Sequence, residues 1–128
     1  MHTPPTVPPI RVLLVDDEPL FLEALAALLG RDERVEIVAA TERSEEAARL
    51  AAEEHPDVAL VDLAMAGVDG YETTRRLIRD SPQLKVIVVS GVSGERARTD
   101  ALEAGASAFL FKGGLYGEIA DTIVDVMH

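Results

Sequence analysis

Polar residues interrupt the apolar runs of this sequence in one repeated way. The run VLLV at 12–15 meets Asp16 and Asp17, and VALV at 58–61 meets Asp62. VIVV at 86–89 meets Ser90, and AFLF at 108–111 meets Lys112. Three carboxylates, a hydroxyl and an ammonium in one place would make a site for a cation and a phosphoryl group. Two like charges 4 Å apart repel by about 4 kcal/mol at an effective dielectric near 20. Such acids therefore take up protons or hold a cation. Hard carboxylate oxygens suit Mg²⁺. Lys112 adds a second positive charge and Ser90 a hydroxyl, an arrangement that holds a phosphoryl group. The chain has no cysteine, and no histidine or activated serine accompanies the set, so a carboxylate is the candidate nucleophile. Asp62 is the best of the three, because it stands inside the apolar stretch VALVDLAMAGV, where a lone charge is costly.

Each residue alone has an ordinary structural reading. Asp16, Asp17 and Glu18 precede Pro19 and suit the cap and first turn of a helix. Ser90 suits a turn, and Lys112 a solvated surface. Asp69 with Glu72 has the spacing of a capping box and reads as structural. The set is more specific than any member.

The elements that must gather these residues follow from hydrophobic periodicity. Ile10–Val15, 35–40, 58–61, 86–89 and 107–111 read as strands. Helices are expected over 18–29, with Pro19 in the first turn and Gly30 at the stop, and over 44–55, capped by Ser44 and ended by Pro56. Further helices are expected over 69–80, 95–104 and 115–127. Strands alternate with helices, and the third and fourth strands are continuously apolar, as strands covered on both faces are. The fold class is α/β, a doubly wound five-stranded parallel sheet with right-handed crossovers. In such a sheet every carboxyl end lies on one edge, where ligands bind. That edge would collect Asp16, Asp17, Asp62, Ser90 and Lys112. The Pro-rich segment 1–9, with four of the seven prolines, reads as a disordered tail before a domain at 10–128.

Composition narrows the function. The 128 residues suit one domain, and 48% hydrophobic content supplies a core. A net charge of −11 argues against this chain holding nucleic acid or an anionic membrane. The absence of cysteine removes disulfides and thiolate chemistry, and His2, His55 and His128 have no metal-ligand spacing. No membrane-length apolar run or signal-peptide core is present, so a cytoplasmic location is expected. Neither a P-loop motif nor a G-x-G-x-x-G after the first strand occurs.

The pieces LLVDDEP (13–19), PDVALVDLAMAGVDG (56–70), VIVVSG (86–91) and GASAFLFK (105–112) resemble, in type, order and spacing, the receiver domain of two-component response regulators. The likeness spans 10–127 and is greatest to receivers of the LuxR/NarL kind. It implies the flavodoxin-like strand order 2-1-3-4-5. It also implies that Asp62 accepts a phosphoryl group from a phosphohistidine of a sensor histidine kinase. Asp17 would bind Mg²⁺ directly and Asp16 through water, and the backbone carbonyl of Ala64 would be a further ligand. Ser90 and Lys112 would hold the phosphoryl oxygens. Phe109 would be the aromatic switch residue, and Ser90 and Phe109 would move the loop 91–94 and the fourth helix. Receivers of this kind usually control transcription through a C-terminal DNA-binding domain, so DNA is expected to be reached only through an output domain.

The chain departs from the family pattern in places. Ala66 and Gly113 stand where prolines are frequent, Phe109 where tyrosine is, and Ser90 and Gly91 where threonine and alanine are. Small Ala64 leaves the acceptor more open to water. Two rivals are a non-phosphorylated interaction module, expected to lack an acid or the lysine, and an aspartyl phosphatase, expected to carry its nucleophile after the first strand. In the last helix, Leu115, Ile119, Ile123 and Val126 form one apolar stripe and Tyr116, Ala120, Val124 and Met127 a second. The second is either buried too or contacts an output domain or a homodimer partner formed on phosphorylation. Because the sequence ends at His128 straight after the last expected helix, both a single-domain receiver and one cut from a longer regulator are expected possibilities.

Overall fold

The computed structural model describes residues 7–65 and 68–128, excepting the side chain of Val68. The tail expected over 1–9 falls mostly outside them. Val7, Pro8 and Pro9 have neither helix nor strand. Five parallel strands form the sheet: β1 (Ile10–Val15), β2 (Val35–Thr41), β3 (Val58–Asp62), β4 (Lys85–Ser90) and β5 (Ala108–Phe111). Their order is β2-β1-β3-β4-β5, the flavodoxin-like order that the resemblance implied. Five helices connect or follow them: α1 (Pro19–Leu29), α2 (Ala47–Glu54), α3 (Gly70–Asp80), α4 (Glu95–Glu103) and α5 (Ile119–Val126).

The apolar runs are continuous because both faces of the sheet are covered. Val12, Leu14, Val58, Leu60, Ile87 and Val89 pack on one face with Leu25 and Leu29 of α1 and Ile119 and Ile123 of α5. Leu13, Val15, Ala59, Val61, Val86 and Val88 pack on the other with Ala47 and Ala51 of α2, Leu77 of α3 and Ala101 of α4. Burial alternates between faces because successive side chains of a strand point opposite ways. This three-layer sandwich buries both faces of the sheet, the main hydrophobic driving force of such a fold.

Several local expectations change. Ser44 does not cap a helix. Ser44–Glu46 is a 3₁₀ turn without a side-chain cap bond. Thr41 organises that entry instead, its hydroxyl accepting the Arg43 N–H at 3.0 Å and lying 3.0 Å from Glu46 Oε2. Gly30 ends α1 in an ordinary right-handed conformation, whereas Gly105 after α4 takes φ 108°, a value suited to glycine. The expected helix over 115–127 is divided into a 3₁₀ turn, Leu115–Gly117, and α5. Gly117 is a poor helix former at that junction. Two two-residue strands, Ala64–Met65 and Val68–Asp69, pair antiparallel after β3, and periodicity gave no sign of segments so short. The Asp69 cap is present, accepting the Tyr71 N–H at 2.9 Å, while Glu72 pairs with Arg75. The first stripe of the final segment is inside, with Leu115, Ile119 and Ile123 buried and Val126 partly buried on the core, while the second is divided: Ala120 packs on the core, Val124 is partly buried, and Tyr116 and Met127 are exposed.

Candidate functional site

The carboxyl ends of β1, β3, β4 and β5 deliver the expected residues to one edge of the sheet. Asp16 and Asp17 follow β1, Asp62 and Ser90 are the last residues of β3 and β4, and Lys112 follows β5. One oxygen from each of Asp16, Asp17 and Asp62 lies within 4.8 Å of the others. Lys112 Nζ lies 2.9 Å from Asp16 Oδ2 and 3.5 Å from Asp62 Oδ2. The structure thus brings together three acids and the lysine from three separate strands.

Burial gives the cluster its chemistry. The side chains of Asp16 and Asp62 are each 4% exposed and that of Lys112 is 13% exposed. Burial raises the Asp62 pKa, the Asp16 charge raises it further, and Lys112 opposes both. The Asp16 pKa is also raised, by burial first, against the pull of Lys112. Burial alone lowers the Lys112 pKa, but Glu18 and Asp16 outweigh it, so the net shift is upward and the ammonium stays charged. Asp16 Oδ2 is buried without an aligned hydrogen bond. Its contact with Lys112 is therefore an ion pair off the hydrogen-bonding line. A crowded set of hard oxygens, one of them short of a donor, fits a small divalent cation.

The capping alternative for Asp16 holds in part, since its Oδ1 accepts the Glu18 N–H at 2.8 Å. The turn alternative describes Ser90. Its hydroxyl donates to the Val92 carbonyl at 2.8 Å and accepts the Val92 N–H at 2.9 Å, which ties it to the start of the loop before α4. The surface reading of Lys112 does not hold. Phe109 is half-buried and packs on the α3–α4 side of the sheet. The Ala64 N–H lies 3.3 Å from Asp62 Oδ1 and donates to it. Ala66 lies outside the described residues.

Three features escaped the sequence reading. Glu18, read only as part of a helix start, pairs directly with Lys112. Phe21 of α1 lies beneath the ammonium, with Nζ 4.4 Å from its ring centroid. Gly70, the first residue of α3, sits against the backbone at the end of the acceptor strand. A Cβ there would lie 2.5 Å from Leu63 O and 2.7 Å from Asp62 O. The signal for Glu18 was present in its neighbour, since a residue before proline is held extended and cannot turn into the helix.

The strand order and the acids at the ends of β1 and β3 define a flavodoxin-like α/β domain with a carboxylate site on its carboxyl edge. Residues 12–123 match the response regulator receiver domain model, and the chain belongs to that family, the receiver domains of two-component response regulators. It is 39% identical over 114 residues to the transcriptional regulatory protein LiaR of Bacillus subtilis, covering 89% of this chain and 54% of that protein. It is 35% identical over 117 residues to the response regulator GacA of Pseudomonas aeruginosa, covering 91% of this chain and 55% of that one. The chain thus spans about half the length of these curated relatives. A LuxR-family two-component response regulator from Aurantimonas superposes with TM-score 0.88 at 29% identity, covering 93% of this chain and 85% of that one. The signal receiver domain of NarL from Mycobacterium tuberculosis superposes with TM-score 0.85 at 30% identity, covering 93% and 96%. Among the described residues, no helix is long and apolar enough to cross a membrane.

Proposed function

We propose that Asp62 accepts a phosphoryl group from a phosphohistidine of a sensor histidine kinase, and that the resulting charge switches the α4–β5–α5 region. The observation that carries this is the cluster of buried Asp16 and Asp62 with half-buried Asp17, and Lys112 3.5 Å from the acceptor. The Asp62 oxygen forms a bond to phosphorus as the donor P–N bond breaks, and the electron pair leaves with the histidine nitrogen. Lys112 pairs with the added negative charge, and Ser90 exchanges its bonds with Val92 for one to a phosphoryl oxygen. Release of Val92 loosens the loop 91–94, and Phe109 changes its packing beneath α4, which together move a two-state element by a local charge. A Mg²⁺ ion held by Asp17, Asp62 and the Ala64 carbonyl, with Asp16 acting through water, would supply positive charge that offsets the acids and polarises phosphoryl oxygens.

The folded unit in this reading runs over 10–128. It acts in the cytoplasm and meets DNA only through an output domain, with homodimer formation following phosphorylation. Nothing favours the non-phosphorylated rival, whose mark is a missing acid or lysine. Incubation with acetyl phosphate and Mg²⁺ followed by intact-mass spectrometry tests the chemistry. One phosphoryl mass is expected on the wild-type chain and none on Asp62→Asn. Equal labelling of both would overturn the assignment.

A further inference from the structure

We infer that Glu18 is a positioning residue that holds Lys112 away from the acceptor until a phosphoryl group arrives. The inference rests on the proposed phosphorylation of Asp62. An ammonium has three N–H donors. Lys112 Nζ makes its two closest carboxylate contacts with Glu18 Oε1 and with Asp16 Oδ2, while Asp62 Oδ2 stands farther off, at 3.5 Å. In the unphosphorylated protein the ammonium therefore leans toward the β1–α1 loop, above the Phe21 ring.

Local structure fixes this partner. Glu18 occupies the N-cap of α1 with φ −100° and ψ 102°, and its side chain makes no cap hydrogen bond. Pro19 disfavours a helical conformation at the preceding residue, so Glu18 stays extended and its carboxylate is free of helix duty. The Glu18 N–H is already satisfied by Asp16. The carboxylate reaches across to Lys112 instead.

The two closer partners differ in how easily they can let go. Asp16 is 4% exposed and would be left charged and unpaired in the interior. Glu18 is 62% exposed, so water takes over its carboxylate when the lysine leaves. A phosphoryl group on Asp62 carries nearly two negative charges at neutral pH, about one more than the carboxylate it replaces, and outcompetes one exposed carboxylate for the ammonium. Glu18 is thus the releasable partner, and it opposes the lysine movement that phosphorylation needs. Exposed ion pairs are weak, so the opposition amounts to roughly a two- to fivefold effect on rate.

Two substitutions separate the tether from simple charge. Glu18→Gln removes the charge. Glu18→Asp keeps the charge but withdraws the carboxylate by one methylene from Lys112. The chain has two lysines, Lys85 and Lys112, so ¹⁵N-detected NMR of side-chain ammonium groups reports on Lys112 with exposed Lys85 as internal reference. In the unphosphorylated, metal-free wild type, the Lys112 ammonium should exchange its protons slowly, and in both variants faster. With acetyl phosphate and Mg²⁺, the donor P–O bond breaks to release acetate as the Asp62 bond to phosphorus forms. Its saturating rate should rise about two- to fivefold in both variants, while the half-saturating donor concentration falls only in Glu18→Gln, where rim charge is lost. If Glu18→Asp matches wild type in ammonium exchange and in saturating rate, the tether is overturned. If wild type takes no phosphoryl mass, the phosphorylation reading fails and the rate effect with it, while the ammonium spectrum still decides whether Glu18 holds Lys112.

Discussion

Asp62→Asn should stabilise the metal-free protein at neutral pH, although it removes a partner of Lys112. Asp62 offers an oxygen within 4.8 Å of one from Asp16 and one from Asp17. At an effective dielectric near 20, each repulsion across that distance is about 3.5 kcal/mol, so the two together cost about 7. Lys112 at 3.5 Å returns about 5 kcal/mol on the same scale. Burial of the charge adds to the unfavourable side, and solvent screening around half-buried Asp17 reduces it. The net gain expected from Asn, which can still accept the Ala64 N–H, is about 1–2 kcal/mol, or roughly 3–8 °C in Tm for a domain of this size.

The pH dependence has a definite sign. The folded-state pKa of Asp62 is raised, by burial first. A raised carboxylate contributes stability that is fully present below its unfolded pKa and is lost as pH rises through the folded one. The stability gap between variant and wild type should therefore be smallest below pH of about 4 and open through the folded pKa to a plateau near neutrality. Urea denaturation in chelator at several pH values measures it. Added Mg²⁺ should narrow the gap, because the wild type offers three carboxylates and the variant two. A variant less stable than wild type by about 1 kcal/mol in chelator at neutral pH would show that the Lys112 attraction dominates and refute this electrostatic account.

Gly70→Ala should cost roughly 2–4 kcal/mol in denaturant unfolding, since the new methyl meets backbone atoms of Leu63 and Asp62 that have no rotamer to change. It should also slow phosphorylation, because the strand end carrying Asp62 must shift. Ser90→Ala should cost about 1 kcal/mol by removing the hydroxyl's two bonds to Val92. Hydrogen exchange at residues 91–94 should speed up, and unchanged exchange there would show that Ser90 does not hold the loop.

How much of this was legible before folding differs residue by residue. Asp62 stood out because an acid at the end of VALV has no inexpensive structural role, and it lies at the end of a fully buried strand. The strand boundaries differ from expectation by a residue or so because apolar runs are the buried runs. Ser44 misled because a capping-type residue before a helical stretch is only a local signal. The contacts of Thr41 with Arg43 and Glu46 compete for the same turn. The ribbon of Ala64–Met65 with Val68–Asp69 was invisible because two residues carry no period.

The sequence by itself determined the layered α/β fold and the polar residues at the strand ends, since alternating apolar segments dictate which elements are buried and where each must stop. Only the tertiary structure decided how those residues share their charge. Lys112 is 94 residues from Glu18 along the chain, and its choice among Asp16, Asp62 and Glu18 depends on ångström distances between strands that no local pattern encodes. The same is true of Gly70, whose need for a missing side chain arises from a backbone it meets only after the sheet has formed. Hydrophobic burial is set by composition along the chain, whereas ion pairing and close packing are set by position across it.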